Sequence, residues 1–289
     1  MARGGTAKRG GTRTGPLDPA QLLTRGTHDH YVDVALYDFE YADQHEDIDF
    51  YLRVVADELG APSSAPPLLE LGAGSGRIAL PLAHAGYRVL ALDRMRSMLD
   101  ALEAKATRAR LSRIEPIEAD MRSLPLADGS VPLVIAPFNA LMHLYTWRDL
   151  LDCFGEVHRV LRPGGAFIFD VLMPDLDWLT WDPNARHGVT RFEHPVSGET
   201  MCYSTNHTYD PATQVCHIRI YYDLGPRPKP RSEPYKLVHL AHRQIWPEEL
   251  RALIATAGFE LESHTGDFAG APIASELESQ TLICRKSGG

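Results

Sequence analysis

The first regular pattern along the chain is helical. Between residues 19 and 60, apolar side chains recur every three or four positions, and charged side chains take the opposite face. This spacing predicts amphipathic helix with one buried face. The clearest stretch carries its apolar stripe at Ile48, Tyr51, Leu52, Val55 and Leu59. Gly60 and Pro62 then predict the end of the helical region.

From residue 68 onward, short apolar segments alternate with helical ones. Most of the apolar segments are nearly continuous, as in strands that are buried on both faces of a sheet. They predict five strands, at Leu68–Leu71, Arg88–Leu92, Ile114–Glu118, Val131–Ala136 and Ala166–Leu172. The helical segments between them are Ile78–Ala85, Met95–Arg110 and Trp147–Leu161. Such a repeat predicts a parallel sheet that is covered by helices on both sides.

The pattern changes again after residue 174. Runs rich in Thr, Tyr and Val alternate as antiparallel strands do, at Thr200–Tyr209, Gln214–Leu224 and Tyr235–Ile245. Six of their side chains are expected to share one face: Tyr203, His207, His217, Arg219, Tyr221 and His239. The chain then returns to helix at Pro247–Ala257 and ends with two strands, Phe259–His264 and Gln280–Arg285.

Composition and charge narrow the class of protein. The chain has no apolar run of about 18 residues and no apolar stretch of signal-peptide type near its start, so we expect a cytoplasmic protein without a membrane partner. Of its 29 basic residues, Arg3, Lys8, Arg9 and Arg13 lie in an opening stretch without acids. The other 25 face 38 acidic residues, which disfavours nucleic acid as a partner.

The four cysteines carry no sign of metal or disulfide chemistry. They are scattered, with neither a C-x-x-C pair nor zinc-ligand spacing, at Cys153, Cys202, Cys216 and Cys284. We expect buried, reduced thiols and no metal site.

The central chemical signal is the segment Leu68–Arg77, LLELGAGSGR, in which a buried strand leads into a glycine-rich turn and then a helix. Glycine lets the backbone approach a ligand where a side chain would clash. A dinucleotide fingerprint would place its last glycine where Arg77 stands, which disfavours NAD. Asp93 ends the next strand, where a carboxylate can accept both hydrogen bonds of a ribose diol. Nicotinamide and S-adenosyl cofactors both use such an acid.

Two later motifs discriminate between these cofactors. Asp120 and Met121 follow the third strand, and an acid beside an apolar side chain suits the amino group and ring of adenine. The sequence L-R-P-G-G at 161–165 predicts a helix-ending turn just before the fifth strand. In order and spacing, these motifs resemble the S-adenosylmethionine-dependent methyltransferase superfamily of Rossmann-like (class I) fold, from Leu68 through Arg285.

The resemblance implies S-adenosylmethionine as cofactor and assigns the residues around it. Glu70, Gly72, Gly74 and Gly76 would line its methionine part, Asp93 its ribose, and Asp120 with Met121 its adenine. The adjoining Ala73, Arg77 and Arg94 are cofactor-binding candidates as well. Tyr37 and Tyr41 lie in a segment that looks like the lid of small-molecule members, where tyrosines close over the cofactor. The region of antiparallel strands at 174–246, the insert, lies where those enzymes carry a substrate-covering sheet.

The candidate residues for the methyl acceptor follow the fourth strand. Open α/β sheets hold ligands at the carboxyl ends of their strands, so Pro137, Phe138, Asn139 and His143 should face the transferring methyl. Pro137 and Phe138 are assigned to the cofactor, and Asn139 and His143 to the substrate. His143 is the only base candidate there, with a structural role or a cofactor contact as its alternatives. Tyr31 is a further substrate candidate, although helix packing would also explain the lid tyrosines.

The predicted fold is α/β, with a Rossmann-like seven-stranded, mostly parallel sheet and an antiparallel last strand. Helices cover both faces, an N-terminal helical lid precedes the sheet, and an antiparallel β insert interrupts it. The expected boundaries are 1–16 for a disordered tail, 17–60 for the lid, 61–173 for the cofactor-binding core, 174–246 for the insert and 247–289 for the end of the core.

The predicted activity is methyl transfer to a nitrogen or oxygen of a small molecule, either an amine metabolite or a natural-product intermediate. Alignment of nucleophile, methyl and sulfur would supply much of the catalysis. Two alternatives stay open: an NAD-dependent oxidoreductase, and a noncatalytic cofactor-binding module of the same fold. The insert is also a candidate homodimer interface.

Overall fold

The computed structural model describes residues 18–229 and 233–287, and the predicted tail, 1–16, lies outside them. The N-terminal region forms three helices, α1 Pro19–Gly26, α2 Val34–Glu40 and α3 Glu46–Leu59, with a 3₁₀ turn at Asp29–Tyr31. Two of these helices begin after an aspartate whose side chain accepts a hydrogen bond from a backbone N–H group of the first turn. Asp18 caps α1 and Asp33 caps α2 in this way.

The central sheet has seven strands in the order β10-β11-β5-β4-β1-β2-β3. Their bounds are β1 Leu68–Leu71, β2 Val89–Asp93, β3 Ile114–Glu118, β4 Val131–Ala136, β5 Leu161–Leu172, β10 Phe259–Thr265 and β11 Ser279–Lys286. All neighbours pair in parallel except around β11, which is antiparallel to both β5 and β10. The predicted α/β fold with an antiparallel last strand is confirmed.

Helices cover both faces of this sheet, as predicted. They are α4 Ala79–His84, α5 Arg96–Arg108, α6 Trp147–Val160 and α8 Pro247–Thr256, together with α3. Side chains alternate along a strand, so Leu68 joins one hydrophobic cluster with Tyr51 and Leu99, whereas Leu69 joins another with Phe154 and Leu250. The sheet therefore lies between two apolar layers, and only its strand ends remain open to a ligand.

The L-R-P-G-G segment forms a bulge at the start of β5. The ladder with β4 pairs Val131 with Leu161 and resumes only at Leu133 with Ala166. The intervening residues 162–165 loop out of the ladder, and a Cβ at Gly165 would come 2.8 Å from the Pro132 carbonyl oxygen. The predicted turn is present, but it lies within the first part of the strand and not ahead of it.

The insert contains four strands where three were predicted. They pair in sequence order as β6 His187–Glu193, β7 Thr200–Asp210, β8 Val215–Leu224 and β9 Lys236–Arg243, preceded by the short helix α7 Leu176–Leu179. The additional strand, β6, is a mostly exposed edge and contains Gly188 with a φ of 60°, so it lacks the alternation that marks the others.

The prediction that six side chains of the insert share one face is wrong. Tyr203 pairs directly with Tyr222, so Tyr203 and His207 lie on the same face as Tyr222. The remaining four lie on the opposite face: His217, Arg219, Tyr221 and His239. Direct partners across an antiparallel ladder share a face, and here each odd-numbered residue of β7 meets an even-numbered one of β8.

The lid and the insert pack together as one roof. Leu36 of α2 lies in a hydrophobic cluster with Ile220, Tyr222 and Val238 of the insert. Tyr222 also hydrogen-bonds Glu40, the last residue of α2. Two segments that are separated by more than a hundred residues in sequence therefore form one cover above the strand ends.

All four cysteines are buried and free. None of the helices in the described part of the chain combines the length and apolarity that crossing a bilayer requires.

Candidate functional site

A cavity of about 890 Å³ lies beneath the roof, at the carboxyl ends of β1, β2 and β4. Its wall contains every sequence-predicted site residue except Gly76. Gly76 lies behind the glycine turn, where a Cβ would come 2.2 Å from a methyl carbon of Leu102. Its backbone, with a φ of 93°, and this close packing explain why glycine is required there.

Asp93 holds the glycine turn in place. One carboxylate oxygen accepts from the Gly74 N–H at 2.8 Å, and the other accepts from the Met95 N–H at 2.8 Å. Burial raises the pKa of Asp93, and the hydrogen bonds from the backbone oppose that rise. Each oxygen keeps acceptor capacity, because a carboxylate oxygen has two lone pairs. The side chain can therefore support the turn and receive a ribose diol at the same time.

Glu70 contributes a buried carboxyl to the same end of the cavity. It is 1% exposed, and its Oε2 atom has no hydrogen-bond partner. Burial raises the pKa of Glu70 to about 8, although Arg77 favours the charged form. Buried polar atoms are rarely left without a partner, and the amino group of a methionine moiety would supply one. Glu70 thus fits the amino group of S-adenosylmethionine, and Asp93 fits its ribose.

Asp120 lies on the wall but is already engaged. Its carboxylate accepts from the backbone N–H of Arg122 at 2.9 Å and from the Arg122 guanidinium at 2.7 and 3.0 Å. Arg122 also binds Asp149 at 2.5 Å, which links this loop to the start of α6. These contacts lower the pKa of Asp120, with the Arg122 side chain as the largest cause. An adenine amino group would have to share this carboxylate with Arg122.

Charged contacts tie the lid to the glycine turn. Asp38 of α2 accepts from the Ser75 hydroxyl at 2.5 Å and pairs with Lys105 of α5 at 2.6 Å. Arg77 pairs with Asp47 of α3, and its guanidinium lies 3.9 Å from the centre of the Phe138 ring. Arg77 therefore connects the lid to the loop after β4, which a role in cofactor binding alone would not explain.

The lid tyrosines form an aromatic wall across the cavity. The ring centres of Tyr37 and Tyr41 lie 4.8 Å apart, and Tyr41 meets Phe138 edge-on at 4.9 Å. The Tyr31 ring is 5.6 Å from that of Tyr37. Burial raises the pKa of all three hydroxyls, so they stay uncharged phenols. The three tyrosines pack against one another and also line the cavity. Helix packing and a position beside the ligand, the two explanations that the sequence left open, are therefore compatible.

His143 lies in the cavity wall beside Tyr31. Its Nε2 is 2.6 Å from the Tyr31 hydroxyl, while its Nδ1 is buried without a partner. The imidazole of His242 in β9 meets it edge-on, with ring centres 5.0 Å apart. Burial lowers the pKa of His143 well below its usual value and that of His242 to about 4. Both rings are therefore neutral at neutral pH.

The structure adds cavity residues that the sequence did not single out. His242 follows Val238 and Leu240 on the inner face of β9, so its place could have been found by extending that alternation. Tyr145 lines the wall as well, and its hydroxyl donates to the Ala241 carbonyl at 3.2 Å. No local pattern marks Tyr145, because only the packing of β9 over the core brings it to the site.

The chain is similar to proteins that transfer methyl groups. A family model described as a methyltransferase domain matches residues 68–165. YqeM of Bacillus subtilis, whose name assigns it to the methyltransferases, is 33% identical over 233 residues, spanning 76% of this chain and 84% of that protein. The cypemycin N-terminal methyltransferase of a Streptomyces species is 28% identical over 228 residues, spanning 78% and 85%.

Among solved structures, the CcbJ methyltransferase from Streptomyces caelestis has the same fold. It superposes with a TM-score of 0.72 at 24% identity, covering 90% of this chain and 98% of that one. The sequence relatives decide against both the NAD-dependent oxidoreductase and the noncatalytic module. The chain belongs to the class I S-adenosylmethionine-dependent methyltransferase superfamily and is an enzyme that takes S-adenosylmethionine as its methyl donor.

Proposed function

We propose that this enzyme methylates a nitrogen of a small-molecule acceptor that enters the site uncharged. One observation carries the proposal: a single roofed cavity joins the cofactor residues Glu70 and Asp93 to the neutral pair of His143 and Tyr31. Its volume of about 890 Å³ lies within the range of small-molecule sites, roughly 300–1,000 Å³.

In this proposal the cavity has a cofactor end, at Glu70 and Asp93, and an acceptor end, at Tyr31 and His143, and each has its own task. Glu70 and Asp93 hold the cofactor's amino group and ribose, and the cofactor supplies a methyl group on a sulfonium. The segment from Pro137 to His143 then lies toward the acceptor, where alignment of the nucleophile is the main requirement. Asn139 Oδ1 and His143 Nδ1 are buried without partners, and the polar atoms of an acceptor would satisfy them.

His143 orients the acceptor in this proposal. With the ring proton on Nε2, directed at the Tyr31 oxygen, Nδ1 offers its lone pair to an N–H of the acceptor. That hydrogen bond turns the acceptor's own lone pair toward the methyl group. The hydrogen bond from Nε2–H to the Tyr31 oxygen fixes the ring and leaves Nδ1 without a proton, because the bond at one ring nitrogen sets the state of the other.

The low basicity of His143 favours a nitrogen acceptor over an oxygen acceptor. An amine keeps its proton after methylation and leaves as a cation, so it needs alignment but no strong base. A hydroxyl must pass its proton to a base, and the burial that lowers the pKa of His143 makes its Nδ1 a weak one. The name of the cypemycin N-terminal methyltransferase, a relative over most of this chain, supports a nitrogen acceptor as well.

A substrate panel tests this proposal. The purified enzyme with S-adenosylmethionine is offered paired small molecules that differ only in bearing an amine or a hydroxyl and, separately, a mixture of proteins. Products are identified by mass spectrometry. We expect amines to gain one methyl group and their hydroxyl partners to stay unchanged. Methylation of hydroxyls alone would overturn the choice of nitrogen, and methylation of proteins alone would overturn the small-molecule class.

The homodimer and the cytoplasmic location stay predictions. The face of the insert that carries Arg219 and Tyr221 is partly covered by its own chain, since Arg219 donates to the Pro183 carbonyl at 3.0 Å and Arg186 stacks on Tyr221 at 3.9 Å. A dimer through the insert would therefore use its exposed edge strand, β6. Light scattering on a size-exclusion column measures the assembly directly.

A further inference from the structure

A buried carboxylate near the end of β5 connects helix α3 to the loop that follows β4. Asp170 is 3% exposed and accepts three hydrogen bonds. They come from the Tyr51 hydroxyl of α3 at 2.7 Å, the Phe138 N–H at 2.8 Å and the Asn139 N–H at 3.2 Å. Asp170 is absent from the cavity wall, so it does not contact the ligands itself.

The two backbone donors belong to an unusual stretch of chain. Phe138 and Asn139 are consecutive residues with φ of 56° and 65°, in the left-handed region that side chains other than glycine rarely adopt. Successive N–H groups in such a turn converge and form a site for an anion. Here the anion is the Asp170 carboxylate, which compensates for the strained backbone and holds both N–H groups.

This loop carries the residues on which the proposed function depends. The Phe138 ring packs between the Arg77 guanidinium at 3.9 Å and the Tyr41 ring at 4.9 Å. Asn139 immediately precedes the 3₁₀ turn Ala140–His143, so the direction of that turn follows from the backbone at Asn139. A change at this loop would move the aromatic wall and His143 together.

We propose that Asp170 is a positioning residue, whose carboxylate holds the Phe138–Asn139 loop so that His143 meets the acceptor at the methyl group. This inference rests on the proposed function for the role of His143. An uncharged amide could not replace the carboxylate, since its NH₂ group would face one of the two backbone donors. The loop would then lose one of its two bonds and with it the fixed direction of the turn.

Two variants separate positioning from simple stability. Asp170→Asn keeps the shape of the side chain and leaves one backbone N–H without an acceptor. Tyr51→Phe, the matched control, removes the third hydrogen bond from the same carboxylate and leaves the loop bonds intact. Thermal unfolding measures how much stability each variant loses. A loss of kcat in Asp170→Asn that exceeds the loss in an equally destabilised Tyr51→Phe is then attributable to the loop.

The main readout is the split between kcat and KM with an amine found in the panel. In Asp170→Asn we expect kcat to fall about 100-fold, because a small misplacement of catalytic groups costs about that much, with little change in the acceptor KM. Tyr51→Phe should keep kcat within a few-fold of the parent at a similar loss of stability. Equal losses of kcat in both variants, in proportion to stability, would overturn the proposal.

A second readout needs no acceptor and no variant. Amide hydrogen exchange of the parent protein with S-adenosylhomocysteine should show the Phe138 and Asn139 amides among the protected ones, although they lie in a loop. Rapid exchange at both amides would contradict the proposal even if Asp170→Asn failed to fold. If no compound of the panel is methylated, the proposed acceptor class fails, while this measurement still decides whether Asp170 holds the loop.

Discussion

The cofactor end and the acceptor end that we propose for the cavity are built in different ways. The cofactor end consists of one continuous turn and the acids at the ends of neighbouring strands, with Asp93 bonded directly to the turn's backbone. The acceptor end is assembled from Tyr31, His143 and His242, which come from three distant segments. Carboxyl groups mark the first end, whereas burial keeps the imidazoles and the phenol of the second uncharged.

This difference teaches how the enzyme separates its two tasks. A charged, polar cofactor is recognised by backbone and carboxylates that a short motif can encode. The acceptor end has no such motif, because its selectivity depends on which side chains the roof brings together. If that division is real, substitutions at one end should impair binding of the cofactor, and substitutions at the other should impair turnover.

The largest effect is expected at the acceptor end. His143→Gln removes the imidazole whose Nδ1 orients the acceptor and should lower kcat about 100-fold, because a small misplacement of the reacting groups costs about that much. The affinity for S-adenosylmethionine, measured by calorimetry, should stay within about a factor of two, since independent sites do not couple. The exposed His84→Gln in α4 is the control. A loss of cofactor affinity that matches the loss of kcat would move His143 to the cofactor end.

A large effect is also expected on stability in acid. The folded-state pKa of His242 is about 4, below the ordinary value of 6.5, so its neutral form contributes stability above pH 6.5 that is lost as the pH falls toward 4. The full loss would be about 3 kcal/mol for a shift of this size. His242→Gln should therefore be destabilised less, relative to the parent, at pH 5 than at pH 7.5 in urea unfolding.

Buried carboxyls with raised pKa values make the unfolding free energy change with pH in the opposite direction. Their contribution cancels in the difference between variant and parent, because both proteins contain them. Glu40, with a pKa raised by burial to about 7, is the clearest of these. A difference in unfolding free energy that stays constant between the two pH values would show that the pKa of His242 is not lowered in the native state. The acceptor end would then gain charge already in mild acid.

The cofactor end should respond to the loss of its ribose acid. Asp93→Ala removes charge-assisted hydrogen bonds, which typically contribute about 1.5–3 kcal/mol, and should raise the Kd for S-adenosylmethionine about 10- to 100-fold. Asp100→Ala removes an exposed acid of α5 and serves as the control. Unchanged affinity in a folded Asp93→Ala protein would contradict the ribose assignment.

The smallest effect is expected for Tyr31, and it decides whether this residue serves the acceptor or the cofactor. Tyr31→Phe removes only the hydroxyl that contacts His143, and a single neutral hydrogen bond contributes about 1 kcal/mol, so kcat should fall about fivefold. Cofactor affinity should stay the same in calorimetry. If the cofactor affinity falls further than kcat, Tyr31 belongs to the lid over the cofactor, with Tyr37 and Tyr41.

Local patterns were enough to predict the core. The strands of the central sheet, the glycine turn and Asp93 follow from runs of neighbouring residues, and the structure has all of them. Register could not be predicted in the same way. The four-residue connection between Asp210 and Val215 makes odd positions of β7 pair with even positions of β8, which placed Tyr203 and Arg219 on opposite faces.

Residues that act across the molecule could not be predicted either. The alternation along β9 shows that His242 shares a face with Val238 and Leu240, but no pattern in the sequence shows that this face meets His143. Asp170 left a weaker signal, as one acid within the apolar strand sequence AFIFDVL. A buried charge in such a strand needs partners, but nothing local shows that the partners are the N–H groups of Phe138 and Asn139.

A structure of the enzyme with S-adenosylhomocysteine would test the division of the cavity most directly. The account predicts the ribose on Asp93, the amino group near Glu70, and the sulfur facing the segment from Pro137 to His143. Space bounded by Tyr31, His143 and His242 should remain open for an acceptor. If the bound molecule instead fills that space and makes its polar contacts to the two histidines, the assignment of the two ends is wrong.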